Sequence, residues 1–128
     1  MDSSVVMHRQ TVAIVEDDLS MLQGLGRLLT ASGHDVETFD SGEAFLAFVD
    51  RSRASCLLTD IRLGGISGIE LQRRLISSGH TFPVIFMTAI DREAIRQEAL
   101  QTGCLAILRK PFSPQLLLDA IERASIND

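Results

Sequence analysis

Four short apolar runs, each closed by polar residues, set the rhythm of this chain. Thr11-Val12-Ala13-Ile14-Val15 is closed by Glu16 and Asp17, and Cys56-Leu57-Leu58-Thr59 by Asp60. Pro83-Val84-Ile85-Phe86-Met87 is closed by Thr88, and Leu105-Ala106-Ile107-Leu108-Arg109 by Lys110 and Pro111. Runs of this length, apolar throughout rather than alternating, read as strands covered on both faces, the pattern of a parallel sheet. A further segment, His-Asp-Val-Glu-Thr-Phe over residues 34–39, has fewer apolar residues and suits a strand nearer the sheet edge.

Between these runs the period changes to that of a helix. Leu19, Leu22, Leu25, Leu28 and Leu29 recur at helical spacing, with Asp18 placed to cap the start and Gly33 to end it. Ser41 opens a short helix through about Val49 with Glu43 in its first turn, and Ser67 opens another through about Ser77. Residues 91–102 form a polar helix ended by Gly103. Pro114 stands in the first turn of a last helix carrying Leu116, Leu117, Ala120, Ile121 and Ala124. Strand three is expected over residues 54–60 and strand five over 104–109. Strands alternating with helices, joined by right-handed crossovers, predict a doubly wound (βα)5 α/β fold. This is a flavodoxin-like three-layer sandwich whose parallel sheet runs in the order 2-1-3-4-5, with its switch point between strands one and three.

The length, 128 residues, suits one domain, and a hydrophobic fraction of 45% is enough for a buried core. The net charge of −5, with acids and bases interspersed, offers no basic groove for nucleic acid. No apolar stretch is long enough to span a bilayer and the N-terminus lacks a signal-peptide pattern, so a cytoplasmic location is expected. Cys56 and Cys104, both in strand-like runs, read as reduced core thiols. His8, His34 and His80 are scattered without metal-ligand spacing. Residues 1–10 read as a polar lead-in and 11–126 as the domain, with no output domain encoded after the last helix.

Ligands of an open α/β sheet bind beyond the carboxyl ends of its strands, so the residues closing the runs share one edge. Glu16, Asp17 and Asp60 placed together would repel one another unless cations relieve them. A Mg²⁺ ion and the Lys110 ammonium would do so, since Mg²⁺ takes hard oxygen ligands and keeps some waters. Asp17 and Asp60 are the expected direct ligands, Glu16 acts through water, and the backbone carbonyl of Arg62 supplies a further oxygen. Asp60 is the expected nucleophile, forming an aspartyl phosphate. Mg²⁺, Lys110 and the Thr88 hydroxyl would hold the oxygens of the transferring phosphoryl group, and Ala89 leaves room for its donor. Taken singly, a strand-final Asp or Lys, an acid pair before a helix and a strand-final Thr are ordinary surface features. Together, at matching strand ends, they point to phosphoryl chemistry.

At these residues the chain resembles the receiver domains of bacterial two-component response regulators. The resemblance runs from about Thr11 to Ser125, carried by Val-Glu-Asp-Asp (15–18), Thr-Asp-Ile-Arg-Leu-Gly-Gly-Ile-Ser-Gly (59–68), Phe-Met-Thr-Ala (86–89) and Leu-Arg-Lys-Pro-Phe (108–112). Ser-Gly-Glu-Ala-Phe-Leu (41–46) and Ala-Ile-Glu-Arg-Ala (120–124) are similar to the FixJ-like receivers of nitrogen-fixation regulators. The resemblance implies that Asp60 accepts a phosphoryl group from a sensor histidine kinase or phosphotransfer protein. It implies that Glu16 and Asp17 serve Mg²⁺, that Thr88 and Lys110 grip the phosphate, and that Lys110–Pro111 is cis. It implies a signalling domain rather than an enzyme, with self-catalysed phosphorylation and dephosphorylation. Helix four and strand five would form the readout face for a downstream partner, an output domain or a second copy of the chain.

Two positions depart from the family pattern. Ile107 stands where most receivers place Tyr, Phe or His, an aromatic that swings inward when the threonine moves, so a weaker switch is expected. Gly64 stands where Pro is frequent, and paired with Gly65 it is expected to loosen the loop after Asp60. Other readings of the chain are a receiver-like docking module that is not phosphorylated and a Mg²⁺-dependent phosphatase with an aspartyl nucleophile. The phosphatase would need a second acid where this chain has Arg62. A flavin carrier of similar topology would need a phosphate-binding loop where Glu16-Asp17-Asp18 would repel the phosphate.

Overall fold

The structure, a computed structural model, describes residues 8–126. Strands β1 (Thr11–Val15), β2 (Asp35–Phe39), β3 (Cys56–Asp60), β4 (Val84–Thr88) and β5 (Ala106–Arg109) alternate with helices α1 (Leu19–Ala31), α2 (Gly42–Phe48), α3 (Gly68–Ser77), α4 (Glu93–Gln101) and α5 (Pro114–Ile126). All pairings are parallel, in the order β2-β1-β3-β4-β5. Asp60 lies opposite Met87 and Thr88 opposite Arg109, so the residues closing β1, β3, β4 and β5 emerge along one edge. Among the described residues no helix is long and apolar enough to cross a membrane.

Successive strand side chains point to opposite faces, which divides the core in two. Val12, Ile14, Leu58, Ile85, Met87 and Leu108 pack with α1 and α5. Ala13, Val15, Leu57, Val84 and Phe86 pack with α2, α3 and α4. Cys56 is buried and Cys104 half-buried. The caps are those the sequence marks: Asp18, Ser41 and Ser67 side chains accept from the amides of Met21, Ala44 and Glu70. The exception is α4, whose N-terminal residue Arg92 makes no side-chain cap and which buries only Ala99.

Three elements start two residues later than expected. β3 and β5 begin at Cys56 and Ala106, although ladder bonding reaches one residue earlier, from the Ser55 N–H to the Thr11 carbonyl at 2.9 Å and from Leu105 N–H to Val84 carbonyl at 2.7 Å. α4 starts at Glu93 because Arg92 is still extended, with φ −118 and ψ 128. A single 3-10 turn, Val49–Arg51, prolongs α2. Of the expected lead-in, residues 1–7 lie outside the described residues, whereas 8–10 are tied down rather than loose. His8 Nδ1 lies 2.5 Å from Glu122 Oε2, Arg9 grips Asp35 at 2.9 Å, and Gln10 Nε2 donates to the Ile121 carbonyl at 2.7 Å.

Candidate functional site

Lys110 follows directly on β5, and its ammonium reaches back across the sheet edge to two carboxylates. Nζ donates to Glu16 Oε1 at 2.7 Å and to Asp60 Oδ2 at 2.5 Å. Both acids are buried, at 1% and 7% exposure, so this ammonium is what compensates them. Burial pushes the Glu16 carboxyl above its ordinary value, against the hydrogen bond from Lys110. Burial alone would lower Lys110, but its hydrogen bonds to Asp60 and Glu16 outweigh this and hold its pKa above the ordinary value. The amine therefore stays protonated between the two acids. The other oxygens are also engaged: Glu16 Oε2 accepts from the Asp18 amide at 3.1 Å and Asp60 Oδ1 from the Arg62 amide at 2.9 Å. Asp60 is thus oriented from both sides at the strand end. The Lys110–Pro111 peptide bond is cis.

Asp17 points elsewhere. Its Oδ2 accepts from the Gly64 amide at 3.0 Å, on the loop between β3 and α3. Two residues on, the Ile66 amide donates to Glu43 Oε2 at 3.0 Å, from the first turn of α2. Gly65 between them has φ +89, and a Cβ there would lie 2.5 Å from Glu43 Oε2. Where a looser loop was expected, both flanking amides are bonded, Gly64 to Asp17 and Ile66 to Glu43, and Gly65 supplies the positive φ between them. The loop ends at Gly68, whose amide donates to the Ile61 carbonyl at 2.9 Å. A Cβ on Gly68 would fall 2.2 Å from the Asp60 carbonyl oxygen. Sequence reasoning placed Glu43 only in the first turn of its helix and did not find its bond to the loop or the role of Gly68. A glycine at a helix start, where Ala would otherwise be favoured, was the available signal of close backbone approach.

Thr88 is buried beside this edge, but its hydroxyl is turned to its own loop. Oγ1 donates to the Ile90 carbonyl at 3.2 Å and accepts from the Ile90 amide at 3.0 Å. Thr88, Ile107 and Ile95 line a cavity of about 160 Å³ under the start of α4, rimmed by Arg92, Arg96 and Arg109. Ile107 is partly buried against the β4–α4 side of the core and leaves that cavity unfilled. Ala89, next along the chain from Thr88, is exposed.

Among the described residues no three acidic, histidine or cysteine side chains close around a common point. The donor set nonetheless fits a hard dication. It offers the exposed carboxylate of Asp17, the carboxylate of Asp60 and the neighbouring Arg62 backbone, with more negative charge than Lys110 alone balances. Mg²⁺ is typically held by one or two carboxylates, with waters and a phosphate completing its shell. With both its oxygens bonded to Lys110 and the Asp18 amide, Glu16 orients the ammonium.

Comparison with known proteins gives a consistent answer. The family model for the response regulator receiver domain matches residues 12–122. The transcriptional regulatory protein FixJ of Rhizobium meliloti is 37% identical over 115 residues, covering 90% of this chain and 56% of FixJ. The response regulator protein TodT of Pseudomonas putida is 34% identical over 113 residues, covering 88% and 50%. The chain thus spans about half the length of the curated relatives it matches. Among solved structures, the crystal structure of FixJ-N superposes with a TM-score of 0.88 at 36% identity, covering 95% of this chain and 98% of that one. The response regulator StyR gives 0.83 at 40% identity, covering 91% and 59%.

Proposed function

The chain belongs to the response regulator receiver domain family, and on that premise we propose that Asp60 is its phosphoacceptor, served by Mg²⁺, Glu16, Asp17, Thr88 and Lys110. The observation that carries this is the setting of Asp60: buried at the end of β3, with one oxygen held by the Lys110 ammonium and the other by the Arg62 amide. A carboxylate so placed presents a fixed lone pair at the mouth of the sheet edge. The phosphoryl group comes from a phosphohistidine of a sensor kinase or phosphotransfer protein. A bond forms between an Asp60 oxygen and phosphorus while the phosphorus–nitrogen bond breaks and its electron pair returns to the imidazole.

This chain's residues contribute charge and position. Lys110 carries its positive charge against the reacting oxygens. Thr88 leaves its bonds to Ile90 and turns its hydroxyl to the phosphoryl oxygens, which pulls on the β4–α4 loop. Asp17, Asp60 and the Arg62 carbonyl would hold Mg²⁺, which when bound supplies positive charge to the phosphoryl oxygens. Hydrolysis of the acyl phosphate is self-catalysed at the same site, so the domain is a timed signal rather than a turnover enzyme. The readout is α4 with β5, since α4 buries one side chain and stands over a cavity, the mark of an element of low local stability. Its targets are a downstream protein, an output domain or a second copy of the chain, in the cytoplasm. Residues 11–126 form the working unit.

The alternatives draw less support. A docking module has no use for the buried Glu16–Lys110–Asp60 arrangement, and the phosphatase would need an acid at Arg62, which instead lends its amide to Asp60. The test is incubation with Mg²⁺ and acetyl phosphate. Wild type should gain one hydroxylamine-labile phosphoryl group and Asp60→Asn none; full labelling of Asp60→Asn would refute the assignment.

A further inference from the structure

Among the described residues the bond to the Gly64 amide, 3.0 Å at Oδ2, is the one hydrogen bond Asp17 makes. It joins the loop after β1 to the loop after β3 across the mouth of the site. The β3–α3 loop is bonded on its far side through the Ile66 amide to Glu43, so the segment is held between two carboxylates. A dication that takes Oδ2 competes with the amide already on it, and an amide donor on a carboxylate is a charge-assisted bond.

We propose that the Gly64 amide is a built-in competitor for Asp17: it clamps that carboxylate to the β3–α3 loop until Mg²⁺ takes the carboxylate, and metal binding thereby releases the loop. This rests on the reading of Asp17 as a Mg²⁺ ligand. Gly64 acts here as a positioning residue through its N–H, and its side chain is immaterial. A Cβ at Gly64 would meet only Asp17 Oδ2, at 3.8 Å, an ordinary contact, so alanine is accommodated with its amide in place. Proline has no amide hydrogen to donate. The two substitutions therefore separate the donor from the bulk. The consequence is that metal affinity is set below what the carboxylates alone would give, and that the loop beside Asp60 changes its anchoring when the metal arrives, before any phosphoryl transfer.

The experiment uses the full chain and Mg²⁺ alone. Calorimetric titration should give a dissociation constant for Gly64→Ala near that of wild type, and for Gly64→Pro about fivefold to tenfold lower, the size of one exposed charge-assisted hydrogen bond. In ¹⁵N spectra of wild type, Mg²⁺ should shift the Gly64 amide and speed its exchange with water, while the Ile66 amide, held by Glu43, should change far less. The wild-type spectra decide the matter even if Gly64→Pro fails to fold. Equal affinities for the alanine and proline variants, or a Gly64 amide unaffected at Mg²⁺ saturation, would overturn the proposal. Failure of the underlying reading looks different: Asp17→Asn would then bind Mg²⁺ as wild type does, and the inference would fall with it.

Discussion

Gly68→Ala is the sharpest single perturbation of this site, because it pushes on the backbone of Asp60 without touching any polar side chain. The added Cβ would lie 2.2 Å from the Asp60 carbonyl oxygen, 3.1 Å from its carbonyl carbon and 3.2 Å from Ile61 Cα. Cβ contacts below about 3.0 Å do not occur, so β3 and the start of α3 must part by about 0.8 Å. All three neighbours are backbone, so no side chain can swing away. Overpacking of this kind costs about 1–3 kcal/mol. The hydrogen bond from the Gly68 amide to the Ile61 carbonyl, 2.9 Å, is strained at the same time. Against this, alanine gains about 0.5–1 kcal/mol over glycine in a helix. Taking the middle of each range, the balance is a loss of about 1 kcal/mol, which for a domain of this size lowers Tm by roughly 4 °C. The control is Gly24→Ala in α1, where no heavy atom lies within 4 Å of the added Cβ. There the same helix gain stands alone, and Tm should rise by about 2–4 °C. The chain has no Trp or Tyr, so far-UV circular dichroism is the probe of melting. Acetyl phosphate labelling of the folded variant should also slow, since the displaced carbonyl is that of the phosphoacceptor. If Gly68→Ala melted with or above Gly24→Ala and labelled at the wild-type rate, the close approach of α3 to Asp60 would not be what positions it.

Three further outcomes are expected. Lys110→Met leaves Glu16 and Asp60 buried without their ammonium and should cost about 3 kcal/mol in urea unfolding near neutral pH, with loss of labelling; a cost below about 1 kcal/mol would mean that solvent already screens the pair. His34 is 3% exposed and accepts from the Gln10 amide on Nδ1, and burial holds its pKa below the ordinary 6.5 against the charges of Glu122 and Asp35. Its contribution is therefore intact above pH 6.5 and lost as pH falls toward the folded-state value, because the unfolded chain takes the proton first, with a slope of at most about 1.4 kcal/mol per pH unit. His34→Asn, which keeps an acceptor for the Gln10 amide, should flatten that slope, and an unchanged slope would place the titration elsewhere. Ile107→Tyr should reach into the cavity of about 160 Å³ beside Thr88, leave labelling near wild type, and enlarge the beryllofluoride-induced change in partner or self-association; the expected gain is about 1 kcal/mol of coupling, and an identical response would make Ile107 plain packing.

Much of this protein is legible in one dimension, for a definite reason. Strand identity, helix starts and the gathering of Glu16, Asp60, Thr88 and Lys110 at one edge depend on local signals. These are continuous apolar runs, a capping side chain three residues before its amide, and the rule that parallel strands end on the same side. Asp18, Ser41 and Ser67 cap as their spacing requires, crossover handedness makes the sheet doubly wound, and the observed order β2-β1-β3-β4-β5 is the one expected. What the chain does with those groups was decided only in three dimensions. Of the three acids Lys110 bridges Glu16 and Asp60, Asp17 turns to the Gly64 amide, and Glu43 reaches from α2 to the Ile66 amide. Gly68 is a helix start by its neighbours but a backbone contact with Asp60 by its place. These interactions join separate crossovers, and whether a side chain meets an amide there depends on how far one helix end stands from one strand end. That distance is set by the packing of the whole layer, to a fraction of an ångström, and no local period carries it.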